Sequence, residues 1–241
     1  MSRTPAPGDA LAALEGRLGA LGLSVFLPLA PAVFDAAAAP LRLDQLLPAA
    51  AGALIVGSGG PAFFDLFAAA PEAGDGAADP LDRYTARVLA EAAQAALAPL
   101  AVAHALAFPF DDHPLIPFQR LGRAAGLGGP GPLGLQIHPR FGPWWAYRAL
   151  VVLDRALPPA APPGDGCAGC DAPCVAACPA RAVARAGFDV AACHARRLIA
   201  APCHLSCAAR IACVRGPEHR YRDAELAFHM RASMPRRTST P

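Results

Sequence analysis

The apolar positions fall into short continuous runs separated by helical-period segments. Residues 52–58 (GALIVGS), bounded by glycines, predict a strand buried on both faces. Residues 102–110 and 144–154 predict two more, and residues 24–29 and 135–138 two shorter ones. Between them the period changes to that of a helix. Residues 9–21 carry apolar side chains at helical spacing behind Asp9, a candidate N-cap. Residues 61–70 (PAFFDLFAAA) begin with Pro61 at a favoured first helical position. Residues 79–97 predict a long amphipathic helix: an Asp79 cap, Pro80 in the first turn, then Leu81, Tyr84, Val88, Leu89 and Ala92, with Pro99 just past its end. Residues 115–125 predict a helix after Pro114, and 126–134 a glycine/proline loop. Strands alternating with helices predict an α+β or α/β layer architecture.

Composition narrows this. The 241 residues are 54% hydrophobic and 17% charged, enough to bury a sizeable core, while 27 Pro and 22 Gly exclude a long-helix protein. Alanine is over-represented, at 59 residues, and all 21 basic residues are Arg. The net charge of +2 excludes a strong electrostatic case for nucleic acid or anionic membrane across the whole chain, so nucleic acid is an unlikely partner. That charge is uneven: residues 167–241 hold 11 Arg against 5 acids, and residues 1–166 hold 10 Arg against 14 acids. All eight cysteines also fall within residues 167–213, behind the Pro/Gly-rich run 158–166. This marks a boundary between domains at 1–157 and 167–241. The apolar run 21–34 is broken by Pro28 and Pro31, and 92–110 holds Gln94, Pro99 and His104, so neither reads as a targeting or membrane segment. The expectation is a soluble cytoplasmic protein, in which eight cysteines argue for metal rather than disulfides.

The sharpest motif is Cys167, Cys170, Cys174 and Cys178 followed by Pro179, a C-x2-C-x3-C-x3-C-P run. The bacterial ferredoxin run is C-x2-C-x2-C-x3-C-P, whose fourth Cys ligates the other cluster. Cys193, Cys203, Cys207 and Cys213 bring the thiolates to eight, the number two [4Fe–4S] clusters need. Closely spaced thiolates bind three corners of a cubane, and a distant one closes the fold around it. The anionic clusters would be offset by the basic balance of this segment. Two four-cysteine zinc sites use the same donors, and one cluster with four structural thiols is a further alternative. The Pro after the fourth Cys favours iron–sulfur.

This segment resembles the two-cluster region of epoxyqueuosine reductases, including a D-x-x-x-C step at Asp189–Cys193. The resemblance implies one cluster on Cys167, Cys170, Cys174 and Cys213, and a second on Cys178, Cys193, Cys203 and Cys207. The chain departs from the family in the three residues between Cys203 and Cys207 and in Val214 after Cys213. A second resemblance runs through the first part of the chain. Residues 137–153 (IHPRFGPWWAYRALVVL) are similar to the IHPRFGGW-x-A-x-R-x-V-V-L stretch of the cobalamin-processing enzymes of the methylmalonic aciduria and homocystinuria type C family. Residues 54–65, 79–82, 116–126 (IPFQRLGRAAG) and 219–229 match further patches of that family in the same order.

Together the two resemblances imply an α+β fold: a modified nitroreductase-like domain followed by a ferredoxin-like dicluster region. They place corrin contacts on Ile116, Pro117, Phe118, Gln119, Gln136 and Tyr147. The residues allow it, since a corrin is a flat apolar macrocycle with amide arms, and Gln119 and Gln136 pair with amides in both directions. Trp144, Trp145 and Tyr147 offer broad faces but serve equally as core aromatics, and Arg140 and Arg148 suit a phosphate or carboxylate. His138 reads as a structural histidine more readily than as an axial ligand. Asp111 stands where epoxyqueuosine reductases keep an acid before a Pro; the resemblance makes it a candidate catalytic proton donor, while its position alone suits a solvated loop acid. No dinucleotide fingerprint, P-loop or serine elbow occurs.

Three functions remain open on this reading. The first is an oxidoreductase whose clusters reduce or process a bound cobalamin, or a flavin in its place, with electrons from a redox partner protein. The second is a ferredoxin-like carrier without a catalytic site. The third is an epoxyqueuosine-reductase-like enzyme.

Overall fold

A computed structural model describes residues 7–234. The chain divides into two compact units, Met1–Gly126 with Trp145–Pro162, and Leu127–Trp144 with Pro163–Pro241. The chain crosses between the units after Gly126, Trp144 and Pro162. Residues 127–144, assigned on sequence to the first domain, pack instead with the cysteine segment. The ends of both predicted domains, 1–6 and 235–241, lie outside the described residues.

The first unit is built on four strands: β1 (Leu23–Leu29), β2 (Gly52–Gly59), β3 (His104–Ala107) and β4 (Trp145–Leu153). All pairs are antiparallel, in the order β1-β2-β4-β3. Ala53 to Val56 of β2 and Ala149 to Leu153 of β4 are 0% exposed, as unbroken apolar runs in inner strands should be. The edge strand β1 alternates buried and more exposed positions, and an edge tolerates Pro28, which lacks a ladder donor.

Helices α1 (Pro7–Gly19), α2 (Pro31–Ala38), α3 (Ala62–Ala68), α4 (Pro80–Leu97) and α5 (Phe118–Ala124) complete this unit. α1 packs on β1 and α4, α2 on α5, and α3 on β2. Phe63 and Phe67 of α3 meet Tyr84 of α4 with ring centroids 5.4 and 5.7 Å apart. Gly22 (φ +77°) passes so close to α3 that a Cβ there would lie 2.5 Å from the Phe63 nitrogen. Two predicted caps are corrected. Asp9 lies inside the first turn of α1, and Asp79 precedes α4 but makes no side-chain cap. Pro31, read as a breaker, is the first residue of α2, where its fixed φ favours helix.

The second unit has α6 (Pro173–Ala177), a two-residue hairpin of β5 (Val183–Ala184) and β6 (Gly187–Phe188), then α7 (Val190–Ile199), α8 (Pro202–Leu205), α9 (Ala208–Ile211) and α10 (Asp223–Ala232). Leu133 and Ile137 join Ala172, Cys174, Val183 and Ala209 in one core. Trp144 is fully buried with Tyr221 and Leu226 in a second. The strand predicted at 135–138 is not formed. Gln136 and His138 make isolated bridges to Pro130 and Gly142, because the side chains around them pack on the cysteine segment. Among the described residues no helix is long and apolar enough to cross a membrane.

Candidate metal centre

All eight cysteines are free thiols, and they fall into two sets of neighbours: Cys170, Cys174 and Cys213 bear on Cys167, and Cys178, Cys203 and Cys207 bear on Cys193. Cys167, Cys170, Cys174 and Cys213 line one cavity of about 200 Å3, walled by Leu133 and Ile137, with Arg185 and Arg215 also on its lining. Burial pushes the Cys167 thiol up to about 11, and the neighbouring Asp165, Cys213, Cys170 and Cys174 raise it further. Burial likewise raises Cys174 and Cys213, each beside Cys170. In the other group burial raises Cys193, which feels Cys207, Cys178 and Cys203.

Local backbone geometry explains the sorting. Ala172 takes a left-handed conformation (φ 56°) just before Pro173 starts α6, and its N–H donates to the Cys170 sulfur at 3.4 Å. Cys174 sits in the first turn of α6 and faces the cavity. Cys178, one residue past the helix, is extended (φ −78°, ψ 112°) because Pro179 disfavours the helical region for the residue before it. The C-P dipeptide thus ends α6 and turns Cys178 to the second group. The D-x-x-x-C step is a helix start: Asp189 accepts from the Ala192 N–H at 2.9 Å and caps α7, which carries Cys193. Cys203 lies in α8, and Cys207 is the N-cap residue of α9.

The first group can be tested for its fit to a metal group. Among the described residues no three Cys, His, Asp or Glu side chains converge on one point, as a zinc held at about 2.3 Å by each thiolate requires. The first group instead surrounds a space several water volumes in size. Gly131 lies against Cys167, where a Cβ would lie 2.6 Å from its sulfur. Neighbouring N–H groups offset thiolate charge, with the Cys213 sulfur accepting from the Arg215 backbone. The thiols, the cavity and these donors fit a [4Fe–4S] cube in this group.

The predicted corrin contacts divide between the units. Ile116, Pro117, Phe118 and Gln119 surround the start of α5; Ile116 and Phe118 are buried and Gln119 is exposed. The Tyr147 ring lies 5.5 Å from Phe118, and burial drives its phenol pKa upward. These five stand in the first unit. Gln136 stands in the second, 5% exposed, with Nε2 donating to the Gly128 carbonyl at 2.9 Å. Asp111, in the turn after β3, accepts from the Phe108 N–H at 2.7 Å. Buried Arg148 donates to Ser58 Oγ at 2.9 Å and lies over Phe63, while Arg140 stacks on Phe141. His138 has the structural role: Nδ1 accepts from the Arg140 and Phe141 N–H groups at 3.1 and 3.3 Å. Burial, Arg140 and His219 lower its pKa to about 4. Sequence reasoning did not single out Gly131, which lies in the glycine/proline loop, nor Arg197 and Arg215, for which the basic balance of the segment was the sole signal.

The fold is of the α+β class. No family model matches it, and no curated protein matches it in sequence. Solved structures do. The B12-trafficking protein CblC of C. elegans is 14% identical with a TM-score of 0.59, covering 94% of this chain and 93% of that one. An epoxyqueuosine reductase bound to an epoxyqueuosine-modified tRNA stem loop is 11% identical with a TM-score of 0.60, over 92% of this chain and 69% of that one. The epoxyqueuosine reductase of Streptococcus thermophilus is 12% identical with a TM-score of 0.55; the chain spans 66% of its length. Both families named by the sequence resemblances are therefore structural neighbours, and the shared property is the fold. The expectation that nucleic acid is an unlikely partner gains no support, since one of these neighbours carries a tRNA stem loop.

Proposed function

We propose that this chain is an iron–sulfur oxidoreductase that holds two [4Fe–4S] clusters in its second unit and reduces or processes a corrinoid held by its first. The observation that carries the reading is the sorting of eight thiols into two groups of four. Cys167, Cys170, Cys174 and Cys213 would hold one cluster, and Cys178, Cys193, Cys203 and Cys207 the other. The clusters, when bound, supply one-electron reduction. The protein holds their thiolate ligands, excludes water with Leu133 and Ile137, and offsets their charge with arginines.

For the corrinoid, the support is the CblC likeness over nearly the whole of both chains and the aromatic pair Phe118 and Tyr147. Ile116, Pro117 and Gln119 belong to the same segment. The Gln136 amide, tied to Gly128, is the weakest member of the implied set. Asp111 accepts from the Phe108 N–H through Oδ2, which leaves Oδ1 as the oxygen that could carry and deliver a proton. A neighbouring epoxyqueuosine reductase, that of Bacillus subtilis, is described with its catalytic aspartate loop swung out of the active site. A second reading, an epoxyqueuosine-reductase-like enzyme acting on tRNA, is favoured by the tRNA-bound neighbour and by the basic second segment.

Anaerobic reconstitution followed by iron, sulfide and cofactor analysis tests the proposal. About eight iron and eight sulfide per chain are expected, with a cobalamin spectrum that shifts toward the base-off form on binding. Two zinc per chain and no visible absorbance would overturn the cluster assignment. Stoichiometric flavin with no cobalamin shift would overturn the corrinoid assignment, as would normal cluster reduction with neither bound, the result of a simple electron carrier.

A further inference from the structure

We propose that Arg197 and Arg215 are cluster-facing donors, one for each group of four cysteines, whose Nε–H groups are reserved for the sulfur atoms of the bound cluster. The inference rests on the cluster reading above and deepens it by naming residues that would set the two reduction potentials separately.

Both side chains are held in the same unusual way. Arg197 is 6% exposed, and its two terminal nitrogens donate to the Met230 and Ser233 carbonyls at the end of α10, the Ser233 bond at 2.8 Å. Arg215 donates through Nη2 to the Ala168 carbonyl at 2.8 Å. In each case Nε is buried and has no hydrogen-bond partner among the described residues. A buried guanidinium N–H left unmade costs roughly 1–3 kcal/mol or more, so such an atom calls for an explanation. Both terminal nitrogens of Arg197 and one of Arg215 are committed to carbonyl oxygens, which anchors each guanidinium.

Placement supplies the explanation. Arg197 follows Cys193 by four residues on α7, on the same helix face. Arg215 lines the cavity of the first group, two residues after Cys213. Arg210 shares the pattern in part, with a buried unpartnered Nε and a bond to the Pro143 carbonyl. Its guanidinium, however, lies 4.9 Å from the Trp144 centroid and 4.7 Å from that of Tyr221, so cation–π contact accounts for its position.

A fixed cation with an N–H aimed at the sulfurs stabilises the reduced, more anionic cluster over the oxidised one. In each one-electron reduction, a [4Fe–4S] cluster of charge 2+ takes up one electron and becomes 1+. Arg197 therefore raises the potential of the cluster on Cys178, Cys193, Cys203 and Cys207, and Arg215 that of the other.

The test is a potentiometric titration of the reconstituted full chain, followed by electron paramagnetic resonance. Arg197→Met should move one cluster's midpoint to lower potential and leave the other in place; Arg215→Met should do the reverse. Arg197→Lys should recover only part of the shift, since it restores charge without Nε. Because Arg197 also ties down α10, the wild-type chain carrying arginine labelled with 15N at Nε provides an independent measurement. Each reduced cluster should show a 15N hyperfine coupling. Unshifted midpoints in folded, loaded variants, or no 15N coupling in the loaded wild type, would overturn the proposal. A wild type that binds no iron would instead overturn the cluster reading on which it rests.

Discussion

Gly131 and Cys167 stand so close that a Cβ on the glycine would lie 2.6 Å from the cysteine sulfur. The φ of Gly131 is unremarkable, so what the glycine supplies is space. Gly131→Ala should therefore displace Cys167 while leaving the other group intact. The expected outcome is a drop in iron and sulfide from about eight to about four per chain, with one of two paramagnetic signals lost. Full loading of the variant would show that this contact is more compliant than its backbone suggests.

The turn at Cys178 gives a sharper result, because Cys174 in α6 and Cys178 just past its end are directed to different groups. Cys178→Ser and Cys193→Ser should perturb the same paramagnetic signal, and Cys213→Ser the other. If Cys178→Ser and Cys167→Ser leave the same residual cluster, the sorting fails.

His138 predicts a pH dependence of stability. Its folded pKa is lowered to about 4 from an ordinary 6.5, so the unfolded chain binds the extra proton more readily. The stability this residue contributes is complete above pH 6.5 and is lost as pH falls from 6.5 toward 4, by about 1–3 kcal/mol. His138→Asn, which keeps an acceptor near the Arg140 and Phe141 N–H groups, should flatten that part of the curve. Chemical denaturation at a series of pH values measures the difference; parallel curves for the two proteins would refute it.

Phe118 and Tyr147 divide the corrinoid proposal from its rivals. Phe118→Ala together with Tyr147→Ala should weaken cobalamin binding at least tenfold in a spectroscopic titration. Gln136→Leu should instead cost stability, roughly 1–2 kcal/mol, by stranding the Gly128 carbonyl. Unchanged cobalamin affinity in the aromatic double variant would place the ligand elsewhere.

The inner strands were legible because β2 and β4 are apolar without interruption, a pattern that burial on both faces produces. The gathering of the cysteines in one segment was legible because all eight fall within residues 167–213. Other features were hidden for physical reasons. Pro31 starts α2, yet in a linear reading it interrupts an apolar run. α6, α8 and α9 are four or five residues long, too short to show a helical period. Residues 135–138 have the composition of a strand, but Leu133 and Ile137 are spent on the core beside Cys174 and Val183. The division of the corrin-contact residues between two units depends on that packing, which no local pattern records.

Residues 127–144 also impose an order of events on synthesis. They leave the ribosome before the cysteine segment that covers them, carrying Leu133, Ile137 and Trp144, all buried in the finished unit. Gly142 fits against Arg215, and Trp144 against Tyr221, so the nascent chain must be extended past Tyr221 before the unit can close. At roughly 5–20 residues per second, that wait lasts some seconds, and until it ends the apolar side chains are open to chaperones or to premature association. On the proposed cluster reading, insertion of iron and sulfide into a finished first cavity would be a late step, after the chain has emerged beyond its last cysteine.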